Sequence, residues 1–62
     1  MQVRRNLSDE QVDNLTNFYL DKRDFMTGPE RFICERVIQN RKMDVEESYI
    51  ITQLHKNLEN LE

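Results

Sequence analysis

The sequence predicts an all-α protein built from three helices, and three observations support this fold class. Three short segments have the residue pattern of a helix start, an apolar stripe with helical spacing follows each of them, and no segment alternates between apolar and polar residues as a strand would. The predicted helices are residues 9–22, 28–41 and 45–61, and residues 1–7 are expected to form a flexible arm. This order fits a three-helix bundle, or a helical hairpin with a third helix beside it, in one small domain of residues 1–62.

Each predicted helix start places a capping oxygen three residues ahead of a Glu or Gln. The pairs are Ser8 with Gln11, Thr27 with Glu30, and Asp44 with Glu47. In such a capping box the first side chain accepts from a free backbone N–H of the opening turn, and the second reaches back to the backbone N–H of the cap. Gly28 and Pro29 fit the second start, because proline in a first turn forfeits no intrahelical hydrogen bond.

The apolar residues after each start fall on one helical face. The stripes are Val12, Leu15, Phe18 and Tyr19 in the first helix, Ile33, Cys34, Val37 and Ile38 in the second, and Ile50, Ile51, Leu54, Leu58 and Leu61 in the third. This spacing is typical of amphipathic helices that bury one side. In the third helix the step from Ile51 to Leu61 also follows the 3-4-3 spacing of a heptad seam.

The chain is short for a domain that must be stable alone. A chain of 62 residues buries only about 60% of its unfolded surface, so we expect a low free energy of unfolding. Small folds gain stability from disulfides, metals or association, and the single cysteine, Cys34, excludes an internal disulfide. The single histidine, His55, is too far along the chain from Cys34 for a typical zinc site. We therefore expect association with a protein partner or with a second copy, as a homo-oligomer.

Large apolar side chains outside the main stripes favour the same conclusion. Phe32 lies on the opposite side of its helix from the stripe, and Tyr49 does the same in the third helix. Exposed clusters of this kind mark interaction sites. The leading hypothesis is a non-enzymatic, regulatory protein–protein interaction module that binds or masks a larger partner, with a homodimer as one form of it. The residues expected to contact the partner are Ile51, Leu54, Leu58, Leu61, Tyr49, Phe25 and Phe32.

The distribution of charge keeps a second hypothesis open. The net charge is −3, yet residues 22–42 carry six bases against three acids. The alternative is a small DNA-binding transcriptional regulator that uses the basic second helix, through Arg31, Arg36, Gln39, Arg41 and Lys42. The turn at Thr27–Pro29 matches a helix-turn-helix only in part. The competing interpretation is that the basic helix packs beside acidic neighbours and the charges offset one another.

No residue pattern predicts catalysis, a metal site or a cofactor. The acidic residues near the helix starts suit the positive end of the helix dipole and lack the ligand spacing of a calcium loop. His55 lies at the margin of the third stripe, as a half-buried boundary residue would. The longest apolar runs are triplets, too short to span a membrane. With a lone thiol and no export signal, a cytoplasmic location is expected.

Overall fold

The computed structural model describes residues 4–59 and contains the three helices. They are α1 (Asp9–Lys22), α2 (Gly28–Asn40) and α3 (Val45–Leu58). A single 3₁₀ turn, Arg23–Phe25, follows α1 directly, and α2 packs against both α1 and α3. The all-α class is therefore confirmed. The part of the expected third helix beyond residue 59 lies outside the described residues.

All three capping boxes are formed. The backbone N–H of Ser8 donates to Gln11 Oε1 at 2.9 Å, and that of Thr27 donates to Glu30 Oε1 at 2.8 Å. In the third box the backbone N–H of Asp44 donates to Glu47 Oε1 at 3.1 Å, while Glu47 N–H donates to Asp44 Oδ1 at 2.8 Å. Only this third box is buried, which excludes water as a substitute partner for its backbone groups.

The residue after α2 ends the helix with a left-handed backbone conformation. Arg41 has a φ of 56°, in the left-handed region, and its N–H donates to the Val37 carbonyl at 2.8 Å. Left-handed backbone costs a residue with a Cβ about 1–2 kcal/mol, so the surrounding structure must hold it there. Ending α2 at Asn40 releases the following residues into extended backbone.

A small antiparallel sheet is the main difference from the sequence-based prediction. Strand β1 (Arg5–Asn6) pairs with β2 (Lys42–Met43), and the Leu7 N–H donates to the Arg41 carbonyl at 2.9 Å. The prediction that no segment forms a strand is wrong here, and part of the expected flexible arm is paired. Each strand has two residues, too few for the alternation that identifies strands in a sequence.

The main apolar stripes of all three helices meet in one core. The buried residues are Leu15, Tyr19, Met26, Cys34, Val37, Ile51, Leu54 and Leu58. Cys34 and Val37 are fully buried, and α2 therefore forms the centre of the packing. Leu7 and Met43, from the arm and from β2, pack against the edge of this core. The stripe residues Leu15, Tyr19, Cys34, Val37, Ile51, Leu54 and Leu58 are therefore all buried within the chain.

We expect Leu54→Ala to destabilise the fold severely. Truncating a buried leucine costs about 2–5 kcal/mol, while a chain of this length has about 3–9 kcal/mol of stability in total. Urea unfolding followed by circular dichroism measures the loss. Thr52→Ala, on the exposed side of the same helix, is the matched control and is expected to change the free energy of unfolding by less than about 0.5 kcal/mol. Similar midpoints for both variants would show that α3 does not face the core as described.

Candidate protein-interaction surface

Three of the residues expected to contact a partner are buried inside the chain. Ile51, Leu54 and Leu58 are 7%, 3% and 6% exposed, and Leu61 lies outside the described residues. A partner cannot touch these three without unfolding the core. Their heptad-like spacing correctly indicated a buried face, but α1 and α2 cover that face within the same molecule. The expectation that they form a docking seam is therefore corrected.

The other expected contact residues are exposed. Phe25, Phe32 and Tyr49 are 59%, 61% and 66% exposed, and Leu20 and Val45 are similarly open. Val45 and Tyr49 are one turn apart on the outer side of α3, where side chains four residues apart are neighbours. We call this pair the α3 patch. Leu20, Phe25 and Phe32 belong to the region where α1 passes into α2, and we call them the elbow residues.

Three members of the candidate DNA-binding set make contacts within the chain. Arg31 Nε donates to the Met26 carbonyl at 3.3 Å, and Arg36 Nε lies 3.4 Å from Glu47 Oε2. Arg41 forms an ion pair with Asp9. The last two contacts join bases in or just after α2 to acids on α3 and α1. This agrees with the interpretation that the basic segment is offset by acidic neighbours.

The two remaining members of that set lie on the surface. Gln39 and Lys42 are exposed, on the last turn of α2 and on β2 respectively. Neither side chain makes a hydrogen bond or ion pair with another described residue. They are the only members of the five whose polar groups the fold leaves unused in residues 4–59.

Glu47 is a buried carboxylate with a partner for each of its two oxygens. It is 7% exposed; Oε1 accepts from the Asp44 N–H, and Oε2 faces Arg36. One side chain therefore completes the cap of α3 and attaches that helix to α2. The capping pattern predicted the first contact, whereas the ion pair depends on the packing of two helices and has no local signal.

A groove beside β1 is the main feature that sequence reasoning missed. Two adjoining cavities of about 420 and 200 Å³ share Leu7, Gln11 and Met43 in their walls. The larger also contains Arg5, Val45 and Ser48, and the smaller contains Leu15, Ile51 and His55. We call the larger cavity the β1–α3 groove. Its existence depends on the paired arm, which the sequence predicted to be flexible.

Two aromatic side chains on α1 have polar partners on the other helices. The Tyr19 hydroxyl donates to Glu35 Oε2 at 2.7 Å, and this hydrogen bond raises the pKa of Tyr19 above its ordinary value of 10.0. The Phe18 and His55 rings stack with centroids 3.7 Å apart, and His55 Nδ1 lies 3.8 Å from Glu59. His55 is half-buried, as expected, and its neighbours give it a packing role.

No group of three or more His, Cys, Asp or Glu side chains within residues 4–59 is arranged to hold a metal ion. None of the helices in that range has the length and apolar character needed to cross a bilayer.

The arrangement defines a small helical protein with exposed apolar residues and a groove. No protein-family model, characterised protein or solved structure matches this chain. Function therefore has to be inferred from its own contacts and surface.

The thiol of Cys34 should be inert in the folded protein. Burial, together with the nearby carboxylates of Glu30 and Glu35, raises the pKa of Cys34 to about 11. At pH 8 only about one thiol in a thousand is ionised, and reagents need the thiolate. We expect labelling by a disulfide reagent to be slow in native buffer and fast in urea, with the same reagent and pH. Rapid labelling without denaturant would contradict the packing of α2.

The Arg36–Glu47 pair should couple α2 to α3. We expect a double-mutant cycle with Arg36→Met and Glu47→Gln to give a coupling free energy of about 0.5–1 kcal/mol, because Arg36 is partly open to solvent. Glu47→Gln keeps an oxygen for the cap, so the cycle isolates the ion pair. Urea unfolding measures all four proteins. Additive losses would mean that the pair contributes nothing to the attachment of α3.

Proposed function

We propose that this protein is a non-enzymatic interaction module that regulates a larger protein by docking on it. In this proposal the three helices form a small bundle, and the exposed apolar side chains are the contact surface. The observation that carries the proposal is that five large apolar residues are 57–73% exposed although the core is complete without them. Aromatic residues at the surface are the type most often found at the centre of protein interfaces.

The size of the molecule supports the same function. A chain of 62 residues has little room for both a core and an enclosed reaction site. A protein of this kind can act by covering a partner's surface or by joining two partners. Self-association is the second form of the proposal, in which a second copy covers the α3 patch or the elbow residues.

The internal contacts of Arg31, Arg36 and Arg41 favour a protein partner over DNA. Phosphate binding would have to compete with an ion pair at two of these arginines. Phe32 lies on the exposed side of α2, in the region that would face the DNA, and apolar rings there suit a protein interface better than a phosphate backbone.

Two double variants test the proposed function. Val45→Ser with Tyr49→Ser removes the α3 patch, and Phe25→Ser with Phe32→Ser removes the aromatic elbow residues. Because all four are exposed, we expect both variants to stay folded by circular dichroism. Affinity capture from the native cell with quantitative mass spectrometry should then show specific proteins lost, about tenfold or more, from at least one variant.

A control variant and a measurement of self-association complete this test. Thr52→Ser, on the outer side of α3, is matched to the first variant and should capture the wild-type set. Sedimentation over a range of concentrations would show a dimer that the apolar substitutions dissociate, if a second copy is the partner. Identical captured sets for the wild type and both double variants, together with a monomer at every concentration, would refute the proposal.

A further inference from the structure

The outer edge of β1 has backbone groups that no described residue uses. Because the Leu7 N–H donates to the Arg41 carbonyl, Asn6 and Lys42 are a non-hydrogen-bonded pair of the antiparallel ladder. The N–H and carbonyl of Asn6 therefore point away from β2. Asn6 is exposed, and neither of these groups makes a hydrogen bond elsewhere in the described chain. An open edge of this kind is where a further strand adds to a sheet.

The segment that contains β1 carries opposite charges at its two ends. Arg4 and Arg5 are followed by three uncharged residues, and Asp9 and Glu10 then open α1. The side chains of Arg4, Arg5 and Glu10 are exposed and form no ion pair or hydrogen bond within the part of the chain that is described. Asp9 pairs with Arg41, but its side chain remains 89% exposed. Both ends of the segment therefore have charge that the fold leaves open to contact.

A two-fold axis at Asn6 makes this charge pattern self-complementary. When two copies of β1 pair antiparallel with Asn6 opposite Asn6, the two residues can exchange their free N–H and carbonyl groups. In this register Arg4 of each copy lies opposite Ser8 of the other, directly before the acids that open α1. The basic end of each copy therefore meets the acidic end of the other, and the contact occurs twice in the dimer.

The neighbouring registers are less favourable. A shift of two residues in one direction places Arg5 opposite Arg5, and like charges directly opposite each other destabilise a sheet. A shift of two residues in the other direction requires the backbone groups of Ser8, whose N–H already donates to Gln11 and whose carbonyl accepts from Val12. The register centred on Asn6 is the one that uses free backbone groups and opposite charges together.

From the open edge and this charge pattern, we infer that β1 pairs with β1 of a second copy, in an antiparallel four-stranded sheet of order β2–β1–β1–β2. The inference rests on the self-association form of the proposed function and gives it a surface. It leaves the α3 patch and the elbow residues open, so the dimer presents the surface proposed for a larger partner twice. Each strand has two residues, so the dimer is weak and depends on concentration.

Other occupants fit this edge less well than a second copy does. Duplex DNA would gain from Arg4 and Arg5 but would bring its phosphates beside Asp9 and Glu10. An extended peptide of one charge would be attracted by one end of the segment and repelled by the other. A second copy supplies both the free strand edge and the matching order of charges.

Sedimentation velocity and ¹⁵N NMR of the full chain test the inference, over about 10 µM to about 1 mM protein. We expect a monomer–dimer equilibrium and an amide signal of Asn6 that moves with concentration. Asn6→Pro removes the donor N–H of the open edge without removing a hydrogen bond between β1 and β2. It should therefore give a monomer throughout this range, with the helices retained by circular dichroism.

Two charge reversals test the register without changing the backbone. Arg4→Glu alone brings acids together across the two-fold axis, and Glu10→Lys alone brings bases together, so each should weaken the dimer about fivefold or more. Mixed in equal amounts, the two variants should associate within about twofold of the wild type, because each arm then meets the opposite charge. Arg23→Glu makes the same change in net charge as Arg4→Glu at another exposed arginine, and this matched control should stay within about twofold of the wild type.

The possible failures separate this inference from the proposed function. A monomer at every concentration overturns the inference, whereas captured partners that are lost from the apolar double variants would still support docking. A dimer that those apolar variants dissociate and Asn6→Pro leaves intact would keep self-association and exclude β1 as its surface. The register is overturned if the mixture fails to restore association, or if Arg23→Glu weakens the dimer as much as Arg4→Glu does.

Discussion

The buried carboxylate of Glu47 is the polar contact that joins the start of α3 to α2 and to the strand before it. It closes the cap of α3 through Asp44 and holds α2 through Arg36. Asp44 comes directly after β2, so fixing the start of α3 also fixes the strand with which β1 pairs. The arm is held by its pairing with that strand and by Leu7, which packs against the core. Burial makes this arrangement demanding, because water cannot replace a missing partner there.

Small size then determines which residues remain for function. One face of each helix is buried in the core, and α2 contributes the two fully buried residues at its centre. What remains outside includes rings and aliphatic chains that the core has no space to enclose, such as Phe32 and Tyr49. In a larger domain a further layer of structure could cover them. Here they stay at the surface, where they add little to the core and remain open to contact.

The local features of this fold could be predicted from sequence, and the non-local ones could not. A capping box involves residues within one turn, so Asp44 and Glu47 identified the start of α3 without any knowledge of packing. An apolar stripe indicates that a face is buried but not by what. The expectation that Leu54 contacts a partner is therefore wrong, because Leu54 faces its own chain. The pairing of Asn6 with Lys42 joins distant segments through two-residue strands. No periodicity can reveal such a contact, and the groove that it creates was missed with it.

The same kind of reasoning shows which groups the fold leaves without internal partners. A folded chain binds where it leaves groups unsatisfied, because a partner gains most from interactions that the fold has not already made. The arginines in and just after α2 have acids or carbonyls within the chain, whereas Arg5 has none among the described residues. An open strand edge and the apolar side chain of Val45 lie beside that arginine. Val45 also belongs to the α3 patch, so the wall of the groove and the exposed side of α3 that carries Tyr49 form one continuous surface.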